Sequence, residues 1–206
     1  MGVGNRTARD RDAGAPAIVS QLKRLAGGRE LYLGPLGLAA TFDSWSPPEL
    51  ARPPRRAWNQ VHRRDGSVFA CAWLLAAIAR LVPLGPARIC AGTTIGPAGV
   101  VINSGDGYAA TPRLRLHAWL AELAGEPVTV WSRGESLTGL AGASTLLAVI
   151  ADGEVALQLT GASGAATLLG AGGVRSLEGP SLESSSLESP GIVRLPGNLR
   201  PATGHG

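Results

Sequence analysis

The sequence has few residues that could form disulfides or hold a metal ion. It contains two cysteines, Cys71 and Cys90, and three widely separated histidines. These residues make neither a disulfide framework nor a zinc-binding motif, so we expect no metal site and no cofactor. Both cysteines lie within apolar runs, where free cysteine usually packs as a small buried side chain.

Segments that could direct export or cross a membrane are also lacking. Residues 1–14 are polar and contain no apolar stretch of the kind that a secretory signal needs. The longest apolar run, residues 68–78, is shorter than the roughly 20 residues of a membrane span. We therefore expect a cytoplasmic protein without a membrane partner.

Lysine is almost absent, although the chain is basic. Lys23 is the only lysine, while the net charge is +4 and the pI is about 9.8. Arginines supply the other cations and are spread along the chain, as in proteins from GC-rich genomes. The arginine cluster at 52–56 has no interleaved aromatic side chains on which bases could stack. We therefore expect no nucleic-acid partner.

Motifs of two common enzyme classes are missing as well. The closest approach to a nucleophile elbow, residues 134–138, lacks the final glycine of that motif. No glycine-rich segment combines a following helix with a nearby lysine, as a phosphate-binding loop does. The sequence therefore predicts neither a serine hydrolase nor a nucleotide-binding protein.

What is present in the first 125 residues is an alternation of helical and strand-like segments. Apolar residues recur at helical spacing over 16–25, 66–81 and 112–123, and 30–33 and 87–91 are typical of short buried strands. This alternation predicts the parallel strand-helix units of a (β/α) fold. Residues 46–64 are rich in proline and arginine and predict a long loop.

After residue 125 the pattern becomes that of an all-β region. Segments 128–131, 146–150 and 155–159 are typical of strands, and Asp152-Gly153 predicts a hairpin between the last two. The tripeptide Ser-Leu-Glu occurs three times between residues 176 and 188 and predicts an exposed loop or edge strand. We therefore expect a polar lead-in at 1–14, a barrel segment at 15–125, a β-domain at 126–200 and a tail at 201–206.

Candidate site residues lie in or beside the predicted long loop. Asp43, His62 and Asp65 are candidate catalytic residues, because carboxylates and imidazoles transfer protons. Asp65 is also a natural N-cap for the helix that follows it. Arg64 could bind a carboxylate through two hydrogen bonds, and Trp45 could stack on a sugar ring.

Several local strings resemble the C-terminal part of D-apionate lactonase-like proteins, which are related to the (β/α)8-barrel glycoside hydrolases. The strings are Glu30–Leu36, Asp65–Trp73, Gly92-Thr93-Thr94, the helix 117–123 and the strand pair ending at Leu159-Thr160, within residues 15–200. The resemblance implies that Thr93 and Thr94 belong to a site that binds a carbohydrate or a sugar-acid lactone. In the family, the strand corresponding to 88–91 ends in Glu-Thr-Thr-Gly-Trp, and Gly92 stands at the position of that catalytic glutamate.

Together these patterns predict an α/β partial (β/α) barrel, containing the last strand-helix units, followed by a small all-β sandwich-like domain. A closed barrel needs about 250 residues and eight units, whereas two strands with their helices are recognisable. The resemblance then implies the C-terminal portion of a glycosidase or sugar lactonase, which we expect to be catalytically incomplete alone. The alternative is a non-catalytic structural or sugar-binding module. Exposed barrel edges would allow self-association.

Overall fold

The computed structural model of the chain describes residues 15–34, 36–38, 64–96, 98–133, 137–151, 155–157, 165–177, 185–187 and 189–197. Of the predicted loop at 46–64, only Arg64 belongs to the described residues.

Three α-helices occur where the apolar spacing predicts them: α1 (Ala15–Ala26), α2 (Val68–Leu81) and α3 (Pro112–Ala121). Helix α2 continues into a 3-10 turn at Val82–Leu84, which Gly85 ends in the left-handed conformation. Helix α3 begins with proline in its first turn, and the side chain of Thr111 accepts a hydrogen bond from the Arg113 N–H. No helix among the described residues is long and apolar enough to cross a membrane.

Strands β1 (Tyr32–Leu33) and β2 (Arg88–Ile89) form a parallel pair, and α2 lies between them in the sequence. This strand-helix-strand unit confirms the predicted parallel pairing. Within the described part of the chain no other strand joins the pair, and no closed barrel is present. Self-association through exposed barrel edges stays a prediction.

A three-stranded sheet that the sequence does not predict follows this unit. It consists of β3 (Thr93–Ile95), β4 (Gly99–Asn103) and β5 (Tyr108–Ala110), with β3 parallel and β5 antiparallel to the central β4. The turn between β4 and β5 is closed where the Gly105 N–H donates to Asn103 Oδ1. Strands β3 and β5 are exposed throughout, so they lack the buried apolar face by which a strand is recognised in a sequence.

The remaining strands confirm the predicted all-β region. They are β6 (Thr129–Arg133), β7 (Leu137–Ala141), β8 (Ser144–Val149), β9 (Val155–Leu157), β10 (Ala166–Gly170), β11 (Gly173–Leu177), β12 (Ser185–Leu187) and β13 (Gly191–Pro196). Six of them form an antiparallel sheet in the order β11-β10-β13-β8-β7-β6, and β9 pairs with β12. The predicted hairpin between β8 and β9 is therefore wrong, because each of these strands pairs with a later segment of the chain. The first Ser-Leu-Glu copy enters the edge strand β11, as predicted.

Helix α2 forms the centre of the molecule and is buried on nearly all sides. It packs against β7, β8 and β13 on one side and contacts α1 and α3 on others, as expected of a helix that is apolar around its circumference. One hydrophobic core therefore contains Leu75 of α2 together with Leu146 and Ile192 of the sheet. A helix covers this face of the sheet, in place of the second sheet that a sandwich would require. The domain boundary at 125 stays a prediction, but the core extends across it.

The opposite face of the six-stranded sheet is also buried. The side chains of strands β8 and β13 point alternately to the two faces, so that Leu147, Val149 and Val193 belong to a second apolar cluster on this face. A sheet that is apolar on both faces explains why its central strands appear in the sequence as continuous apolar runs.

The two cysteines have different environments. Cys71, on α2, is fully buried, as predicted, but Cys90 is exposed and the prediction for it is wrong. Ile89 and Ala91 pack against the core beneath the β1–β2 pair. Because successive side chains in an extended strand point to opposite faces, Cys90 points away from that core.

Candidate functional site

A pocket of about 710 Å³ opens at the beginning of α2. Gly92, which follows β2, lies against the Arg113 guanidinium that contacts Asp65 at the beginning of α2, so this end of α2 lies toward the carboxyl end of β2, where barrel proteins carry their active sites. The pocket also has walls from the beginning of α3 and from the ends of β8, β10 and β13. Its lining residues are Arg64, Gly66, Ser67, Val68, Phe69, Pro112, Ile150, Ala151, Ala171, Ser189 and Pro190. We call it the Arg64 pocket.

Arg64 is held at the pocket by the turn that leads into α2. Its carbonyl oxygen accepts hydrogen bonds from Ser67 Oγ at 2.6 Å and from the Ser67 N–H at 3.0 Å. Its guanidinium lies over the ring of Phe69, 4.8 Å from the centroid, a favourable cation–π arrangement. Among the described residues that line the pocket, Arg64 is the only charged one. The residue that the sequence predicts to bind a carboxylate therefore lies in this pocket.

Asp65 points away from the pocket into a buried ion pair. Arg113 Nη2 lies 3.5 Å from Asp65 Oδ1, and Arg113 Nε donates to the Asp65 carbonyl oxygen at 3.2 Å. Both side chains are only 1% exposed. The N-cap of α2 is Ser67, so the prediction of Asp65 as the helix cap is wrong. Its carboxylate instead connects the beginnings of α2 and α3.

Gly92 lies against the same guanidinium. Its φ of +125° is one that residues with side chains rarely adopt, and a Cβ there would lie 2.7 Å from Arg113 Nη1 and 3.3 Å from the Ala98 carbonyl oxygen. Thr111 accepts the Arg113 N–H and donates to the Gly99 carbonyl oxygen at 2.7 Å, which fixes the start of α3. Position 92 therefore requires glycine in this backbone.

Thr93 and Thr94 lie in the exposed strand β3. Thr93 Oγ1 donates to the Ile95 carbonyl oxygen at 3.4 Å, and neither threonine lines the Arg64 pocket. Asp43, Trp45 and His62 lie outside the described residues. The structure thus brings Arg64 to the pocket and Asp65 to Arg113, but it does not bring the threonines to either. The functional roles predicted for these residues stay predictions.

Cys71, on α2, is a buried thiol on which the charge of Arg113 acts. Burial raises its pKa to about 11, although the positive charge of Arg113 acts in the opposite direction. A thiol with this pKa remains protonated at neutral pH and is a poor nucleophile.

Two residues of the site, Arg113 and Phe69, are missed by the sequence interpretation. Arg113 precedes Leu116 and Leu120 at helical spacing, so it occupies a position on the apolar face of α3. A charged residue at such a position is a signal for a buried ion pair. Phe69 has no comparable signal, because its contact with Arg64 depends on the turn between them.

The family described as D-apionate lactonase, TIM barrel domain, matches residues 13–125, which is more than half of the chain. No curated protein matches the chain. The matched range begins just before α1 and ends in the turn after α3, so it includes Arg64, Asp65, Gly92 and Arg113. The lactonase-like resemblance is confirmed for this range, whereas the relation to glycoside hydrolases and the C-terminal position stay predictions. The chain belongs to the D-apionate lactonase TIM barrel family.

Proposed function

We propose that the chain binds a carbohydrate, as a sugar acid or its lactone, in the Arg64 pocket and does not hydrolyse it alone. The observation that carries the proposal is the position of Arg64 as the one charge in the described lining of a pocket in a lactonase-family chain. A guanidinium donates paired hydrogen bonds to a carboxylate and single ones to ester or hydroxyl oxygens. The pocket volume of about 710 Å³ falls in the usual range for small-molecule sites.

The absence of hydrolysis is proposed from the surroundings of position 92. Opening a lactone needs a group that activates water or attacks the carbonyl carbon. The resemblance assigns that role to a glutamate where this chain has Gly92, and Arg113 Nη1 occupies the adjacent space. Asp65, the described carboxylate that this guanidinium contacts, is buried in its pair with Arg113. The described residues therefore support binding better than catalysis.

Calorimetric titration of the full chain with D-ribonate and with D-ribono-1,4-lactone tests the binding. We expect saturable binding that Arg64→Gln weakens about tenfold or more, the effect of losing a hydrogen bond to a charged group. Arg29→Gln, at an exposed arginine outside the pocket, should leave the affinity unchanged. Binding that is absent, or that both substitutions weaken equally, would refute the proposed site.

A second measurement addresses hydrolysis by the same protein. The rate at which D-ribono-1,4-lactone opens should equal the rate in buffer, after correction for spontaneous opening. Turnover by the chain alone would contradict the non-catalytic part of the proposal while leaving the binding part intact.

A further inference from the structure

Two aspartates among the described residues are each followed by glycine, in the pairs Asp65-Gly66 and Asp106-Gly107. An aspartate in this position can rearrange spontaneously, because the backbone nitrogen of glycine has no neighbouring side chain and can attack the carboxyl carbon of the aspartate. The two pairs are alike in sequence but lie in opposite environments. A third pair, at 152–153, lies outside the described residues.

Asp106-Gly107 lies in the turn between β4 and β5, where both residues are exposed. Within the described part of the chain, neither the Asp106 carboxylate nor the Gly107 N–H takes part in a hydrogen bond or an ion pair. Gly107 has a φ of +148°, and a Cβ added to it would meet nothing within 4 Å. The nitrogen and the carboxyl group are therefore free to approach each other in contact with water.

Asp65-Gly66 lies in the turn before α2, where the aspartate is only 1% exposed. Arg113 Nη2 lies 3.5 Å from Asp65 Oδ1, and Arg113 Nε donates to the Asp65 carbonyl oxygen at 3.2 Å. The carboxyl group would have to leave this guanidinium before it could react with the Gly66 nitrogen. Asp65 can therefore rearrange only when this part of the fold opens locally.

We propose that Asp106 is a site of spontaneous conversion to isoaspartate in the folded chain and that Asp65 is protected from it. The Gly107 nitrogen forms a bond to Cγ of Asp106, and one carboxyl oxygen leaves as water with the protons of the nitrogen and of the carboxyl group. Water then opens the resulting cyclic imide. Addition at Cγ restores aspartate, whereas addition at the backbone carbonyl carbon gives isoaspartate and places one additional methylene in the backbone. Neither step involves an oxidant or a reductant.

Incubation of the freshly prepared full chain at neutral pH, in water enriched in oxygen-18, tests the proposal. Peptides are then analysed by mass spectrometry with electron-transfer fragmentation, which distinguishes isoaspartate from aspartate. Isoaspartate at 106 should exceed that at 65 about tenfold or more, since Asp65 reacts only in the minority of molecules that are locally open. The product at 106 should contain one heavy oxygen atom from the opening of the imide.

Two controls separate the effect of the fold from that of the sequence. In guanidinium chloride, where both pairs are exposed, isoaspartate should form to similar extents at 65 and 106. Asp106→Glu, at an exposed position, should abolish the reaction at 106 and leave position 65 unchanged, because its side chain would have to close a larger ring that forms more slowly.

Equal amounts of isoaspartate at 65 and 106 in the folded chain would overturn the proposal. No product at 106 over a period in which the denatured chain is modified at both positions would do the same. Product that forms at 106 without heavy oxygen would overturn the imide route. Neither Asp106 nor Gly107 lines the Arg64 pocket, so each of these outcomes leaves the sugar-acid proposal unaffected.

Discussion

At the scale of single residues, one arginine–carboxylate ion pair is buried and another is partly exposed to water. Asp65 and Arg113 are each 1% exposed, whereas Arg194 and Glu122 are 30% and 39% exposed although Arg194 Nη2 lies only 2.7 Å from Glu122 Oε2. Water solvates both members of the second pair if the contact is broken. It cannot do so for the first pair, and removing one partner leaves an uncompensated buried charge.

Asp65→Asn is therefore expected to lower the free energy of unfolding by about 3 kcal/mol or more. Glu122→Gln should lower it by less than about 1 kcal/mol, despite the shorter contact. Urea denaturation of both variants measures the difference. Similar losses would show that burial does not dominate the energetics of these pairs.

Gly92 and Gly96 allow backbone strain to be separated from steric conflict. Both have positive φ, +125° and +116°, but a Cβ at Gly92 meets Arg113 Nη1 at 2.7 Å, while one at Gly96 meets nothing within 4 Å. Gly92→Ala should therefore cost more stability than Gly96→Ala, which carries only the conformational penalty of about 1–3 kcal/mol. Equal losses in urea denaturation would mean that Arg113 moves aside at little cost.

The raised pKa of Cys71 predicts that the folded chain loses stability in alkaline solution. Its pKa is raised from 9.0 to about 11 in the folded chain, so between these values the folded state holds a proton that the unfolded state has lost. Stability is fully present below pH 9.0 and falls as pH rises toward 11, by at most about 1.4 kcal/mol per pH unit. Cys71→Ala should remove this part of the alkaline slope, and an unchanged slope would contradict the raised pKa.

At the scale of elements, two segments of unequal length connect the β8–β13 pair to the β9–β12 pair. One runs from Val149 to Val155, and the other, which is shorter, runs from Leu187 to Gly191. Ser189 Oγ accepts the Ala151 N–H at 2.7 Å and donates to the Ala151 carbonyl oxygen at 2.8 Å. One hydroxyl thus replaces a backbone partner at the junction, which also forms a wall of the Arg64 pocket.

Ser189→Ala should accordingly destabilise the chain by about 1–3 kcal/mol, since it leaves the polar groups of Ala151 unpaired in a half-buried position. Amide exchange at Ala151 should accelerate. Ser104→Ala removes an exposed hydroxyl bond to the Gly107 carbonyl oxygen and should have little effect on either measurement. Unchanged exchange at Ala151 in the first variant would show that the hydroxyl is dispensable.

At the scale of the whole molecule, the sequence interpretation succeeds where a structure depends on residues close together in sequence. It fails where the structure depends on pairing between distant segments. The three helices and the strands near 32 and 88 depend on local spacing and are predicted correctly. The order β10-β13-β8 joins strands far apart in sequence, and local periodicity contains no information about such pairing. The site divides in the same way: Arg64 is found from its residue type, whereas the wall containing Ser189 depends on the distant β8–β13 ladder.

The shared core around α2 predicts a single unfolding transition for the described fold. Helices occur only before residue 126 and the six-stranded sheet lies after it in the described residues, yet Leu75 and Leu146 belong to one cluster. Far-ultraviolet circular dichroism at 222 nm, dominated by the helices, and the infrared amide band of the strands should give the same urea midpoint. Two separate midpoints would support independent domains with a boundary near residue 125.

The close approach of Gly92 to Arg113 also limits which substitutions this chain can accept in evolution. A glutamate at position 92, where the resemblance places one in the family, would require the backbone to leave φ +125° and the guanidinium to withdraw. Replacing Arg113 first would leave the buried carboxylate of Asp65 without its counter-charge. Replacing Gly92 first would place a Cβ too close to Arg113 Nη1. Each single step passes through a less stable protein, so selection against unstable intermediates would resist a change at either position alone.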